Sequence, residues 1–371
     1  MNSIPPNPTT AETAGEAGGA TVPVDLTSAV AAAPFDFPSF TPRAPWWGAD
    51  LQTVRSVLMR QRYRPEDHPQ KQMRFRMPDG TGDVLHATLN QPAEPAGDLP
   101  LAVLVHGLTG CTESHYMRAS AAVLLRRGMR VLRVNLRGAG PSRPFCQEQY
   151  HAGRTEDLRS VLAQIPEPLT RSGIVLVGYS LGANLTLKLL GEGTPAGVVA
   201  AAAVSAPIDL SETSRRMMSR RNFFYHRRVV ARMKEEVLGM PIPEQYKAAV
   251  REVRNCYEFD DRFTGPRNGW RSADEYHQVN SAVRFMGGIR VPTLVIHALD
   301  DPWIPADAYL SFDWNSNPGL TPLLPRSGGH VGFHGAGADP WHDQCLVKFL
   351  EAVVGPLGEA NVPLSAAARA G

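Results

Sequence analysis

The sequence predicts an α/β fold: a mostly parallel central sheet flanked by helices, with a helical segment inserted late in the chain. Three observations predict it. From about residue 73, short β-rich runs alternate with helix-length segments joined by short turns, which implies right-handed βαβ crossovers. The run at 101–105 is apolar throughout, as in a strand buried on both faces. The alternation stops at about residue 211 and resumes at 291–297, leaving about 80 residues of helical composition at the edge where open α/β sheets bind ligands.

The elements follow in order. Residues 1–36 are mostly Ala, Pro, Thr and Gly without periodicity and are expected to form a flexible tail. Runs at 73–77 and 84–89, separated by Pro78-Asp79-Gly80-Thr81-Gly82, predict a hairpin. A strand at 101–105, a helix at 113–127, a strand at 131–135 and a helix at 155–164 come next, then a strand at 174–178, a helix at 181–190 and a strand at 198–205. After the insertion come a strand at 291–297, a helix at 306–313, a strand at 321–324 and a helix at 341–354. Residues 355–371 again read as a loose tail. The length of 371 residues is thus assigned to one domain over 37–354, with an insertion at about 211–288, and two tails.

Composition narrows the class. With 38 Lys and Arg against 36 Asp and Glu the net charge is +2, which gives no electrostatic case for nucleic acid as partner. No run approaches the roughly 18 apolar residues of a membrane span. No Lys or Arg precedes Arg43, so the start lacks the basic region of a secretory signal, and a cytoplasmic location is expected. Cys111, Cys146, Cys256 and Cys345 have no metal-ligand spacing and read as reduced thiols.

Gly178-Tyr179-Ser180-Leu181-Gly182 matches the G-x-S-x-G elbow, a strand-to-helix turn so tight that its flanks must lack bulky side chains. The apolar run entering it and the amphipathic run leaving it supply the context that makes the pattern specific. A serine hydroxyl needs a base within hydrogen-bond reach and a carboxylate that orients the base. On such a sheet these follow in the order Ser, Asp or Glu, His. Asp300 and Asp301 both stand just after the 291–297 strand, and the spacing Ala298-x-x-Asp301 with Pro305 four residues on favours Asp301; Asp209, after the preceding strand, is a third candidate. Among His106, His151, His297, His330, His334 and His342, only His330 lies in a loop of small residues at a strand end, Gly328-Gly329-His330-Val331-Gly332. The Gly-rich spacing of His330, His334 and His342 gives no metal-ligand geometry. The tetrahedral intermediate needs two backbone donors. These are expected to be the N–H of Leu181 and, from His106-Gly107-Leu108-Thr109-Gly110, that of Leu108, with His106 shaping the loop. The chemistry needs no cofactor and no metal.

The sequence resembles the YheT-like α/β-hydrolases, whose eukaryotic relatives include lipid-directed abhydrolase-domain proteins. The resemblance rests on Leu51-Gln52-Thr53, the loop at 106–110, Asn135-Leu-Arg-Gly138, Tyr150-His-Ala-Gly-Arg-Thr-Glu-Asp157, the elbow, Ser205-Ala-Pro207, Glu258-Phe-Asp-Asp261, His297-Ala-Leu-Asp-Asp-Pro302 and Gly328-Gly-His-Val-Gly-Phe333. These span about residues 50–335. It implies the α/β-hydrolase fold, Ser180, Asp301 and His330 as charge-relay residues, and short-chain carboxylesterase or monoacylglycerol-lipase-type activity. Ala49-Asp50 departs from the family's usual entry, which touches only N-terminal packing. The acidic pairs of 258–261 are expected to anchor the insertion through hydrogen bonds to Arg or backbone N–H.

Between residues 211 and 234 stand Arg215, Arg216, Arg220, Arg221, Arg227, Arg228, Arg232 and Lys234 against Glu212 alone, interleaved with Met217, Met218, Phe223, Phe224 and Tyr225. Two readings stand side by side: a lid that docks on anionic lipid or steers a phosphate-bearing substrate, and a solvated basic face whose aromatics pack on the body. The expected function is cleavage of a small-molecule ester or lipid through an acyl-enzyme on Ser180. The alternatives are acyl transfer with the same triad and, further off, a non-catalytic binding protein on this scaffold.

Overall fold

A computed structural model describes residues 35–59, 63–93 and 97–358; the expected tails fall mostly on 1–34 and 359–371, outside the described residues. Among the described residues, eight strands form one sheet: β1 (Gln70–Arg76), β2 (Val84–Asn90), β3 (Leu101–Val105), β4 (Val131–Val134), β5 (Ile174–Tyr179), β6 (Val198–Val204), β7 (Thr293–Ile296) and β8 (Leu320–Leu323). Their spatial order is β1-β2-β4-β3-β5-β6-β7-β8. Pairing is antiparallel from β1 to β2 and from β2 to β4, and parallel elsewhere. The sheet is the mostly parallel one the alternation predicts.

Central strands are apolar on both sides because both faces are covered. In β5, Ile174 and Leu176 enter one core, while Val175, Val177 and Tyr179 enter the other. Among the described residues the helices of eight or more residues are α1 (Ala49–Leu58), α2 (His115–Arg126), α3 (Thr155–Gln164), α4 (Leu181–Glu192), α5 (Leu210–Met217), α6 (Phe223–Leu238), α7 (Glu244–Glu252), α8 (Ala273–Asn280) and α9 (Trp341–Val354). Leu158 and Val161 of α3 join the first core with Leu185 and Leu189 of α4, whereas Met117 of α2 and Phe349 of α9 join the second. The ring of Phe35 lies 5.4 Å from that of Phe349. Beyond α9, Leu357 is buried in the second core.

Helices α5 to α8 lie between β6 and β7 in the chain. The insertion has an apolar centre of its own, built from Met233, Val237, Met240, Ile242, Val250, Val253, Phe259 and Phe263. Of the acidic run within it, Glu258 accepts the Arg254 N–H at 2.9 Å and Asp261 the Ala273 N–H at 3.0 Å. Asp260 meets His277 at 2.9 Å.

An ion cluster around the buried Arg137 ties three segments together. Arg137 binds Asp157 at 2.6 and 2.9 Å, Asp83 at 3.1 Å and Asp79 at 2.7 Å. It joins the hairpin turn, the loop after β4 and the start of α3. Although partial burial would raise it, Asp79 is held down at about 2 by bonds from Thr81 and Arg137. Among the described residues no helix is long and apolar enough to cross a membrane.

Candidate active site

The elbow joins β5 to α4 with Ser180 at φ 51°. A Cβ on Gly178 would stand 2.4 Å from the Gly182 carbonyl oxygen, and one on Gly182 would stand 2.4 Å from that of His106. Only glycine lets α4 pack this close to β5 and to the loop after β3.

His330 Nε2 lies 3.0 Å from Ser180 Oγ, and its Nδ1 lies 2.8 Å from Asp301 Oδ2. The other oxygen of Asp301 accepts the N–H groups of Trp303 at 2.8 Å and Ile304 at 3.1 Å. Burial alone would raise the Asp301 carboxyl, but His330 and these donors hold it below its ordinary value. Asp300 points elsewhere and accepts the Gly329 N–H at 2.9 Å. Asp209 caps α5, accepting the Glu212 N–H at 2.9 Å. Of the three carboxylates weighed in the sequence, Asp301 is the one against the imidazole.

The loop after β3 runs beside the elbow. A Cβ on Gly107 would meet Ser180 Cβ at 2.8 Å. The Gly107 N–H donates to Tyr116 Oη at 2.9 Å and the Thr109 N–H to Tyr150 Oη at 2.7 Å. Between them, Leu108 N–H meets no hydrogen-bond acceptor among the described residues, and the same is true of Leu181 N–H. His106 is buried and pushed down to about 4 by its desolvation, so it is neutral. Its Nε2 accepts the Leu136 N–H at 3.0 Å, which leaves Nδ1–H to donate to the Gly107 carbonyl at 2.8 Å.

The histidine loop is held by residues to which sequence reasoning assigned no part. His330 N–H donates to Thr53 Oγ at 2.9 Å, and Val331 N–H to Ser205 Oγ at 3.2 Å. Gln52 accepts the His334 N–H at 2.6 Å. Thr53 and Gln52 belong to α1, a helix the sequence reading did not assign. The loop glycines admit it: a Cβ on Gly329 would reach the Ala49 carbonyl at 2.5 Å, and one on Gly332 that of Gln52 at 2.6 Å. The motif Leu51-Gln52-Thr53 is the only advance signal of this contact, and it carried no chemistry of its own. His334 is likewise engaged, with Nδ1 3.2 Å from Arg55 and Nε2 3.0 Å from Ser56.

The insertion reaches the same place. Trp303 stacks on His330 with ring centroids 4.4 Å apart, and Tyr225 of α6 meets Trp303 edge-on at 5.5 Å. Asn222 donates to the Pro302 carbonyl at 2.7 Å. Asp50, at the departure from the family's pattern, contacts the insertion through Arg221 at 3.0 Å and Tyr225 at 3.1 Å. Met217 is buried, but Phe223 and Phe224 are 55% and 83% exposed, so these two aromatics do not pack on the body.

Residues 100–336 match the family model described as the alpha/beta hydrolase fold. The protein YheT of Escherichia coli (strain K12) is 30% identical over 303 residues, covering 80% of this chain and 87% of that protein. Two yeast proteins of Saccharomyces cerevisiae follow. Monoacylglycerol lipase is 29% identical over 68% of this chain and 59% of its own length. Medium-chain fatty acid ethyl ester synthase/esterase 2 is 30% identical over 68% of this chain and 62% of its own. The chain thus spans about three fifths of each yeast protein. A solved esterase of Pyrococcus furiosus superposes with a TM-score of 0.53 at 18% identity, covering 86% of this chain and 100% of that one, which shows likeness of fold.

The two adjacent aspartates are expected to separate cleanly in kinetics. Asp301→Asn, which donates where the imidazole needs an acceptor, lowers kcat/KM on a soluble p-nitrophenyl ester by roughly 10⁴-fold. Asp300→Asn keeps an oxygen for the Gly329 N–H and loses about tenfold or less. Equal losses in the two variants would break this distinction.

Proposed function

The chain belongs to the alpha/beta hydrolase fold family and groups there with ester-cleaving enzymes, and on that premise we propose that it cleaves carboxylic esters through an acyl-enzyme on Ser180. One observation carries the reading: the unbroken line Asp301 Oδ2, His330 Nδ1, His330 Nε2, Ser180 Oγ, with steps of 2.8 and 3.0 Å at its two hydrogen bonds.

Each step follows from that line. Ser180 Oγ attacks the acyl carbon while its proton passes to His330 Nε2. Asp301, kept ionised, accepts the Nδ1–H and stabilises the imidazolium that forms. The carbonyl oxygen becomes an oxyanion and accepts from the N–H groups of Leu108 and Leu181, the second at the positive N-terminus of α4. Collapse breaks the bond to the leaving alcohol, which takes the proton from His330. Water then attacks the acyl-enzyme by the same route, its proton going to His330 and on to Ser180 as the carboxylic acid leaves.

Acyl transfer is the second reading. It is favoured by the name of the yeast synthase/esterase, because the acyl-enzyme is the same and an alcohol replaces water in the second half. For the insertion we infer contact with anionic lipid. Its support is the exposed pair Phe223 and Phe224 beside exposed Arg220, Arg227 and Arg228, an apolar anchor within a basic field.

Fluorophosphonate labels the wild type and not Ser180→Ala, and a p-nitrophenyl chain-length series then shows turnover lost by at least roughly 10⁴-fold in that variant. Labelling that survives the substitution refutes the assignment. With ethanol added to the same assay, ethyl ester accumulates if acyl transfer competes with hydrolysis, and free acid alone rejects the second reading. Replacing Arg215, Arg220, Arg227 and Arg228 by Gln leaves turnover of soluble esters within about twofold but weakens sedimentation with phosphatidylserine vesicles, by about 1 kcal/mol per charge near the surface. Unchanged sedimentation rejects the lipid contact.

A further inference from the structure

Glu236 is a buried acid on the inward face of α6, among Val230, Met233 and Val237, all buried and apolar. An acid at such a position costs stability relative to leucine unless its bonds matter. Its Oε2 accepts from Tyr150 Oη at 2.9 Å, and Tyr150 Oη in turn accepts the Thr109 N–H at 2.7 Å. Thr109 has φ 55°, a conformation that a non-glycine residue holds only when its surroundings impose it. On the other side of Leu108, the Gly107 N–H is fixed by Tyr116. Leu108 also packs against the apolar centre of the insertion.

We propose that Glu236 is a positioning residue: acting through Tyr150, it holds the backbone at 107–109 so that the Leu108 N–H stays where the oxyanion forms. The proposal rests on the ester-cleaving reading above and extends it by giving the insertion a part in assembling the site. It also gives a role to Tyr150, which opens a motif that the sequence left without one. The charged and titratable groups facing Glu236 are Tyr150, Tyr116, Arg143 at 3.6 Å, and Arg232 and Glu235 on its own helix. Burial pushes Glu236 up to about 7, against the bond from Tyr150 and the charges of Arg143 and Arg232. Either protonation state presents an oxygen that accepts from Tyr150, so the bond outlasts the titration.

Three variants of the full chain test this, with unfolding temperature as the check on folding. Readouts are kcat and KM on the best soluble p-nitrophenyl ester, and the Ki of a trifluoromethyl ketone, whose hemiketal oxyanion uses the same donors. Tyr150→Phe and Glu236→Ala are expected to lower kcat about 10- to 100-fold, the scale of a misplaced donor, with KM within about threefold. The Ki is expected to rise by a matching factor. Glu236→Gln, whose amide oxygen still accepts from Tyr150, is expected to recover most of the loss. If Glu236→Ala does not fold, Tyr150→Phe, which keeps the ring in place, decides alone. An unchanged kcat in Tyr150→Phe, or a fall in kcat with Ki unmoved, overturns the proposal. A wild type inert to both ester and ketone overturns the ester-cleaving reading and this proposal with it, a result distinct from an active wild type with unaffected variants.

Discussion

The 3.0 Å approach of His330 Nε2 to Ser180 Oγ depends on two stretches of backbone that would not adopt their conformations alone. Among the described residues, the non-glycine positions with positive φ are Thr109, Ser180, Ser205, Val331 and Phe333. Three belong to the elbow and the histidine loop, Ser205 bonds that loop, and Thr109 belongs to the loop beside the elbow. Such conformations cost of order 1–3 kcal/mol each, most for a β-branched residue such as Val331. A hydrogen bond returns only about 0.5–1.5 kcal/mol net, so the bonds around the site offset the strain in part, and the two apolar cores carry the remainder. The bonds contribute direction above all: they choose one conformation of each loop.

The insertion is woven into that arrangement rather than laid over it. Asn222 grips the carbonyl of Pro302, next to Asp301, and Tyr225 presses on the indole that covers His330. At the other end of the same helix the chain reaches the loop after β3 through Tyr150. One sixteen-residue helix therefore reaches both the indole stacked on His330 and, through Tyr150, the loop after β3. Its rigid geometry ties their spacing together, so a displacement of α6 moves contacts on both sides at once.

The sheet was legible because its signals are local. Continuous apolar runs such as 101–105 and 174–178 are read without knowing their neighbours, and the observed strands fall within a few residues of them. The elbow was legible for the same reason, since its glycines, serine and flanking runs are contiguous in the chain. Helix α1 was not. Leu51, Val54, Val57 and Leu58 stand in it, but Leu51 and Leu58 are exposed, and the face that matters carries Gln52 and Thr53. A buried glutamine and threonine look like surface until their partners, some 280 residues away, are known. Ser205 and Tyr150 were hidden likewise: a hydroxyl declares its bond only in three dimensions. The exposure of Phe223 and Phe224 was also beyond reach, because apolar periodicity reports which face is apolar and not whether anything covers it.

The scattered motifs of the family resemblance become a single requirement once the bonds of one loop are followed. In Gly328-Gly-His-Val-Gly-Phe333, consecutive N–H groups of residues 329, 330 and 331 are taken by Asp300, Thr53 and Ser205. Those three side chains come from the loop after β7, from α1 and from the end of β6. Each donor-acceptor pair ties the loop to a different element, and three such ties restrict a short segment more than any one of them could. The glycines at 329 and 332 follow from this, because α1 must come within 2.6 Å of where their side chains would begin in order to bring Thr53 into reach, whereas a Cβ at 328 would meet the Phe333 ring at 2.5 Å. His330 is thus aimed by residues that contact neither Ser180 Oγ nor the imidazole. Substituting any one of them by a side chain without an acceptor leaves a buried N–H unpaired next to a strained backbone, where the full desolvation cost of about 1–3 kcal/mol falls on the placement of His330 itself.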